Sequence, residues 1–216
     1  IRRPPRSTPS NSSAASDVYK RQDVLARGIR FAAKAWDMED LAVHVKGLEP
    51  PGYDPRVLKG MGLAYATSDR GACHMRSTFY KAEFSGMIDP ATVEGRARLF
   101  LDFEERLTLF DTLILCRFYR DLYPWDSLGE IIKLATGLSP ERGLLKDIAS
   151  RIADDIRQFN IQEGLSPKDD RLPPLFHRHP LKSGHIITEE ELSAMVADYY
   201  RLHGWDKQGR PLKKAP

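Results

Sequence analysis

Asp111 and Cys116 stand five residues apart in the run Leu109 to Cys116, and both are residue types that can do chemistry. A carboxylate matches paired N–H donors, and a cysteine reacts or binds metal as its thiolate. On a straight helix that spacing turns the two side chains about 140° apart. A broken or kinked turn would be needed to bring both to one site. Read from the residues alone, Asp111 is a helix-face carboxylate and Cys116 a core residue. A second candidate is the polar loop Thr67-Ser-Asp-Arg-Gly-Ala-Cys-His74. Such a loop is costly to bury unless its groups are paired. Its single His74 has the imidazole chemistry suited to moving a proton near neutral pH, although a lone histidine is ordinarily a satisfied surface or core residue. Arg76 reads as a surface arginine, and Cys73 as packing.

The remaining candidates are weaker. His177, His179 and His185 lie in a proline-bearing segment without the third or fourth ligand and tighter spacing that zinc sites use, so they read as solvent-exposed. Two cysteines make no disulfide framework, and no CxxC pair is present.

Composition sets the frame for these residues. At 216 residues, 41% hydrophobic and 29% charged, the chain can bury a core. Residues 1–22 carry five cations against one acid, +4, leaving −1 for the rest of a chain whose total is +3. A basic tail on a body without positive excess argues against nucleic acid as a partner. No apolar run approaches the roughly 18 residues of a membrane span. The expectation is a soluble, cytoplasmic protein.

The elements that must position the candidate residues read as helices, and the fold class expected is all-α. Residues 1–22 read as a disordered leader that resembles a translated sequencing-adaptor read-through, so the fold is expected to start at Asp23. Small apolar residues predict a helix over Asp23–Trp36, followed by a turn region with Gly and Pro over Gly47–Pro55. Another helix is predicted from Arg56 to Ala66. Its Gly60 and Gly62 each cost roughly 1 kcal/mol of helicity relative to Ala, which fits a close approach by a backbone or a ligand. Pro90 predicts the start of a long helix from Ala91 to about Leu122. A shorter helix over Trp125–Ala135 stops at Gly137. Ser139-Pro140 is expected to cap the next helix, with Leu144, Ile148, Ile152 and Ile156 on one face. Residues Asn160–Ser183 read as a polar loop. Thr188 and Glu191 form a capping box for a last helix that ends at Gly204.

Together, Gly60 to Arg76 and Leu109 to Cys116 resemble the two cofactor-facing segments in the C-terminal part of the aldehyde:ferredoxin oxidoreductase family. Phe159 to Phe176 and Tyr199 to Asp206 add further similarity, and the resemblance extends from about Asp23 to Lys214. It implies an irregular multi-helix domain, with residues 23–45 ending the middle helical domain and 46–216 forming the C-terminal one. It implies an enzyme that converts aldehydes to carboxylates, using tungsten or molybdenum on two pterins and a [4Fe-4S] cluster that passes electrons to ferredoxin. By the same resemblance His74 handles a proton beside the metal, Asp111 accepts hydrogen bonds from a pterin, and Leu115 belongs to that cofactor-binding motif. Arg76 contacts a pterin phosphate or bridges toward the cluster, and Cys116 supplies its fourth thiolate. The segments 159–176 and 199–206 would line the substrate channel and close the domain. Where the family usually has Gly, this chain has Ile114, which puts the local backbone path in question. The partners implied are a small aldehyde, ferredoxin and the N-terminal part of the same enzyme, with a homodimer also compatible. The 216 residues alone are expected to be inactive. The same scaffold serves aromatic acyl-CoA reductase subunits, and a cofactor-free helical binding module is the reading from a different class. His74, Asp111 and Cys116 are expected to converge on one partly apolar surface.

Overall fold

Every regular element among the described residues is helical, in a computed structural model that describes residues 21–212. Two isolated antiparallel bridges, Val45–Leu48 and Trp205–Pro211, close local turns. The leader read at residues 1–22 lies outside the described residues, except that Arg21 and Gln22 begin a helical turn over residues 21–25. The helix expected over Asp23–Trp36 is broken: Gly28 sits at φ +87°, and α1 runs only over Ile29–Ala35.

Helix α2, Lys59–Thr67, is the centre of the molecule, with Gly60 through Thr67 all buried. Its glycines are explained by close side chains of the protein itself. A Cβ on Gly60 would lie 2.3 Å from Phe79 Cε1, and one on Gly62 would lie 2.7 Å from Ile187 Cδ1. The short helix α3, Tyr80–Phe84, follows. The predicted Ala91–Leu122 helix is corrected at both ends. Asp89 instead organises a turn by accepting from the Ala91 N–H at 2.9 Å, and α4 starts at Arg96 after a left-handed Gly95. It stops at Thr112, and a 3-10 turn over Arg117–Leu122 continues the chain.

Helix α5, Trp125–Thr136, ends as expected at a left-handed Gly137. Helix α6, Arg142–Gln162, has Glu141 at its N-cap without a side-chain bond, so Ser139 does not cap it. Its buried stripe runs through Leu145, Ala149 and Arg157, while Leu144 is exposed. The expected loop over Asn160–Ser183 therefore begins as helix. It also contains a 3-10 turn at Pro167–Asp169 and the short helix α7, Pro174–Arg178. The last helix, α8, spans Glu189–His203 with the predicted box in place: Glu191 N–H donates to Thr188 Oγ1 at 3.1 Å, and Thr188 N–H donates to Glu191 Oε2 at 3.0 Å.

Helix α4 packs against both α6 and α8, and α2 packs on α8 and α4. The main core joins Met61, Leu63, Tyr65, Phe79, Phe100 and Tyr199, and smaller clusters lie around Trp125 and Leu128. Burial of this apolar surface is the main force that closes the fold. Charges inside it are paired, as desolvation requires. Asp170 meets Lys46 at 2.7 Å and Arg157 at 2.6 Å, and accepts from the Tyr200 hydroxyl. Lys46 also donates to the carbonyls of Ala66 and Ser68 at 2.7 and 2.8 Å, fixing the end of α2 from which the candidate loop leaves.

Candidate functional site

The loop that follows α2 is held from several sides. Thr67 Oγ1 donates to the Leu63 carbonyl at 2.9 Å, and Asn160 Nδ2 of α6 donates to the Asp69 carbonyl at 2.9 Å. Gly71 takes φ +104°, and a Cβ there would come within 2.2 Å of the Val45 carbonyl oxygen. Only glycine lets the loop pass so close to the Val45 turn. Cys73 is buried and its sulfur accepts from Arg70 at 2.8 Å and from the Met75 N–H at 3.4 Å. Apart from the His74 ring, the polar side chains named in this loop are thus paired in the way burial demands.

The second segment leaves α4 by a Schellman turn. Leu115 N–H donates to the Phe110 carbonyl at 2.8 Å, and Ile114 N–H donates to the Asp111 carbonyl at 3.1 Å. Ile114 occupies the left-handed position at φ +56° and is 92% exposed. This is the position that glycine usually fills, and a β-branched residue there is strained. The backbone nevertheless follows the glycine path, which answers the question raised by Ile114. Leu115 packs on the Leu107, Phe110 and Leu128 cluster and anchors the turn. Cys116 then emerges as a free, exposed thiol and not as a core residue.

Arg76 and Asp111 meet directly, Nη1 to Oδ2 at 2.8 Å, and Arg76 also pairs with Asp69 at 2.8 Å. These opposing carboxylates outweigh partial burial and raise the Arg76 pKa. Arg117, which follows Cys116, bonds the same carboxylate through Nε to Oδ1 at 3.0 Å and through Nη2 to Oδ2. Three arginine donors therefore fix Asp111. A carboxylate offers about four acceptor positions, so one on Oδ1 stays open to a further N–H. Beside Asp111 lies a cavity of about 120 Å³, walled by Asp69, Arg76, Thr108, Glu104, Asn160 and Tyr199 among others. Cys116 adjoins this cluster through the chain.

His74 stands apart from it. Its ring lies 5.5 Å from the Tyr53 ring and 6.1 Å from that of Tyr80, and it makes no hydrogen bond among the described residues. Burial, then the positive charge of Arg70, lowers its pKa, so the imidazole is neutral near pH 7 and able to accept a proton. The link to the Asp111 cluster is the chain itself, through Met75, whose carbonyl accepts from Arg117.

Arg117, Asp69 and Asn160 were not among the residues singled out in the sequence. A basic residue after a cysteine carries no spacing signal, since its partners lie up to 42 residues away. Of the other histidines, His177 is half-buried with Nδ1 2.9 Å from the Ile187 carbonyl, whereas His179 and His185 are exposed. No group of three or more metal-ligating side chains occurs among the described residues. No described helix is long and apolar enough to cross a membrane. A larger groove of about 890 Å³ runs along α8 past Leu192, Val196 and Tyr200. His177 lines it, with Asp170, Leu172, Tyr200 and Trp205 from the two segments expected along a substrate channel, whereas His74, Arg76, Asp111 and Cys116 do not. The segment Tyr199–Asp206 contributes mainly core: Tyr199, Tyr200 and Trp205 are buried, and Trp205 Nε1 donates to Asp154 at 2.6 Å.

Comparison with known proteins identifies what the chain as a whole is similar to. The family described as aldehyde ferredoxin oxidoreductase, domains 2 and 3, matches residues 15–215, so the match begins inside the segment read as a leader. The tungsten-containing aldehyde ferredoxin oxidoreductase of Pyrococcus furiosus is 32% identical over 205 residues, and that of Thermococcus kodakarensis is 32% identical over 203. Each alignment covers 89% of this chain and 33% of the relative, so the chain spans about a third of their length. Among solved structures, the active-site complex BamBC of benzoyl coenzyme A reductase, in complex with 1,5-dienoyl-CoA, superposes with a TM-score of 0.67 at 19% identity. That superposition covers 89% of this chain and 35% of the other, a likeness of fold. The chain belongs to the aldehyde ferredoxin oxidoreductase family.

Proposed function

We propose that the chain is the cofactor-facing C-terminal part of a tungsten- or molybdenum-dependent oxidoreductase that converts aldehydes to carboxylates and delivers electrons through a [4Fe-4S] cluster to ferredoxin. The observation that carries this reading is the joining of the two candidate segments at Asp111, with the free thiol of Cys116 exposed next to the junction. In this reading residues 23–45 end the middle domain and residues 46–216 form the last one.

The residues fit the groups the family implies. Asp111 is a pre-oriented carboxylate with an acceptor position open, suited to an N–H of a pterin. Cys116 is accessible as one thiolate of a cluster, and because cubane clusters take four cysteines the other three must come from elsewhere in the polypeptide. This chain alone would therefore be inactive. When bound, the metal on its pterins supplies the oxygen chemistry and the cluster carries the electrons. His74, kept neutral by burial, takes up or returns the proton. Arg76 bridges Asp111 and Asp69, bonded to each at 2.8 Å.

The test is metal analysis of the full-length enzyme. Cys116→Ala should strip iron and ferredoxin reduction while tungsten is retained. Asp111→Ala should loosen the pterin and lower tungsten first, through lost charge-assisted bonds of about 1.5–3 kcal/mol each. Full iron occupancy with normal ferredoxin reduction in Cys116→Ala would return that residue to an ordinary surface thiol.

A further inference from the structure

We propose that Arg117 is a positioning residue, a single guanidinium that locks the His74–Arg76 segment to the Asp111–Cys116 turn so that the two move as one body. All three of its nitrogens are engaged, in different directions. Nε and Nη2 hold the two oxygens of Asp111. Nη1 donates to the Met75 carbonyl and lies 3.4 Å from that of Arg76, while Nη2 also reaches the Leu107 carbonyl of α4 at 3.5 Å. The side chain is only 12% exposed although Cys116 and Phe118 on either side of it are exposed, so the chain turns this one residue inward. Its own backbone is pinned from behind. Arg120 donates to the Arg117 carbonyl at 2.7 Å, and Arg106 of α4 donates to the carbonyls of Arg120 and Tyr123 at 2.7 and 3.1 Å.

The arrangement requires arginine. A planar fork with five N–H groups can serve a carboxylate and three peptide carbonyls at once, whereas a lysine ammonium is a point charge on a flexible stem. The cluster is also electrically closed, with Arg76 and Arg117 against Asp69 and Asp111. Losing Arg117 leaves Asp111 with Arg76 alone and releases the Met75 carbonyl. Cys116, bonded covalently to Arg117, would then lose its fixed relation to the 74–76 segment. The importance of this lock rests on the function proposed above, but its test does not.

The experiment is amide hydrogen exchange on the 216-residue chain without cofactors, comparing wild type, Arg117→Met and Arg117→Lys. The reporters are the Thr78 amide, bonded to the His74 carbonyl, and the Leu115 amide of the Schellman turn. Arg117→Met should accelerate both by roughly tenfold or more, the scale of one lost bond to a charged group. Arg117→Lys should give the same paired acceleration, and it stands in should the methionine variant fail to fold. Helix α8 should keep its wild-type exchange. Wild-type rates at either reporter in the lysine variant, or equal acceleration in α8, overturn the proposal. Since no cofactor is present, such a failure is distinct from a failure of the metal assays.

Discussion

Arg76 and Asp111, 35 residues apart in the chain, are joined by an Nη1–Oδ2 bond of 2.8 Å, and this contact unites the two segments that carry the candidate chemistry. Both side chains are about a third exposed or more, 34% and 40%, so solvent screens the pair. A double-mutant cycle with Arg76→Met and Asp111→Asn should give a coupling of about 0.2–1 kcal/mol in urea unfolding. It should shrink at high salt. A salt-independent coupling would mean that the pair is more enclosed than its exposure indicates.

Ile114 offers the opposite sign. Its left-handed conformation costs about 1–2 kcal/mol for an L-residue, and at 92% exposure its side chain contributes almost no packing. Glycine removes that strain but adds chain entropy of about 0.5–1 kcal/mol. Ile114→Gly should therefore raise stability by roughly 0.5–1 kcal/mol, seen as a higher urea midpoint at unchanged slope.

Gly60→Ala should destabilise, against helix propensity. Alanine favours a helix over glycine by about 1 kcal/mol, but the new methyl would sit 2.3 Å from the Phe79 ring, which is itself fully buried. Overpacking of this kind typically costs about 1–3 kcal/mol. A thermal melt decides the sign, and a rise in the midpoint would show that Phe79 can move aside.

Glu83 makes stability depend on pH. Burial raises its pKa from 4.5 to about 7, against the counter-pull of the Gly60 N–H and Arg96. The folded state then holds a proton that the unfolded state has already released. The stabilisation is complete below about pH 4.5 and is lost as pH rises through about 7. The change is on the order of 3 kcal/mol. The stability of Glu83→Gln relative to wild type should rise by that amount across the window in chemical unfolding at a series of pH values. Acids such as Asp54 and Glu191, whose pKa values are lowered chiefly by Arg56 and Lys59 against the cost of burial, are unchanged in the variant and cancel in the difference.

Local signals were legible where one residue type has one structural use. Thr188 with Glu191, and the stops at Gly137 and Gly204, declare themselves because capping and left-handed backbone are specific demands. The end of α4 did not. Leu113, Ile114 and Leu115 continue the apolar period, and a β-branched residue is the last choice for a left-handed turn. The start of α4 is equally hard to read, because Pro90 resembles a first-turn proline, while the Asp89 turn and Gly95 that delay the helix are weaker cues. At the site, Asp111, Arg76, Cys116 and His74 could be named from motif likeness. The grouping that sets His74 among tyrosines, and Arg117 across Asp111, depends on contacts between distant segments that no local pattern encodes.

The ammonium of Lys46 has a further consequence for the loop it precedes in space. The Ala66 and Ser68 carbonyls to which it donates lie at the C-terminal end of α2, where aligned peptide dipoles sum to about half a negative charge. Because α2 is buried, water cannot neutralise that end. Lys46 acts as its counter-ion, Asp170 balances Lys46, and Arg157 carries the balance on to the Gly209 carbonyl at 2.8 Å. Burial would by itself drive Lys46 toward its neutral form, and Asp170 opposes this. The segment bearing His74 and Arg76 thus departs from an electrostatically grounded point, so the freedom left to it is set downstream, where it meets Asp111.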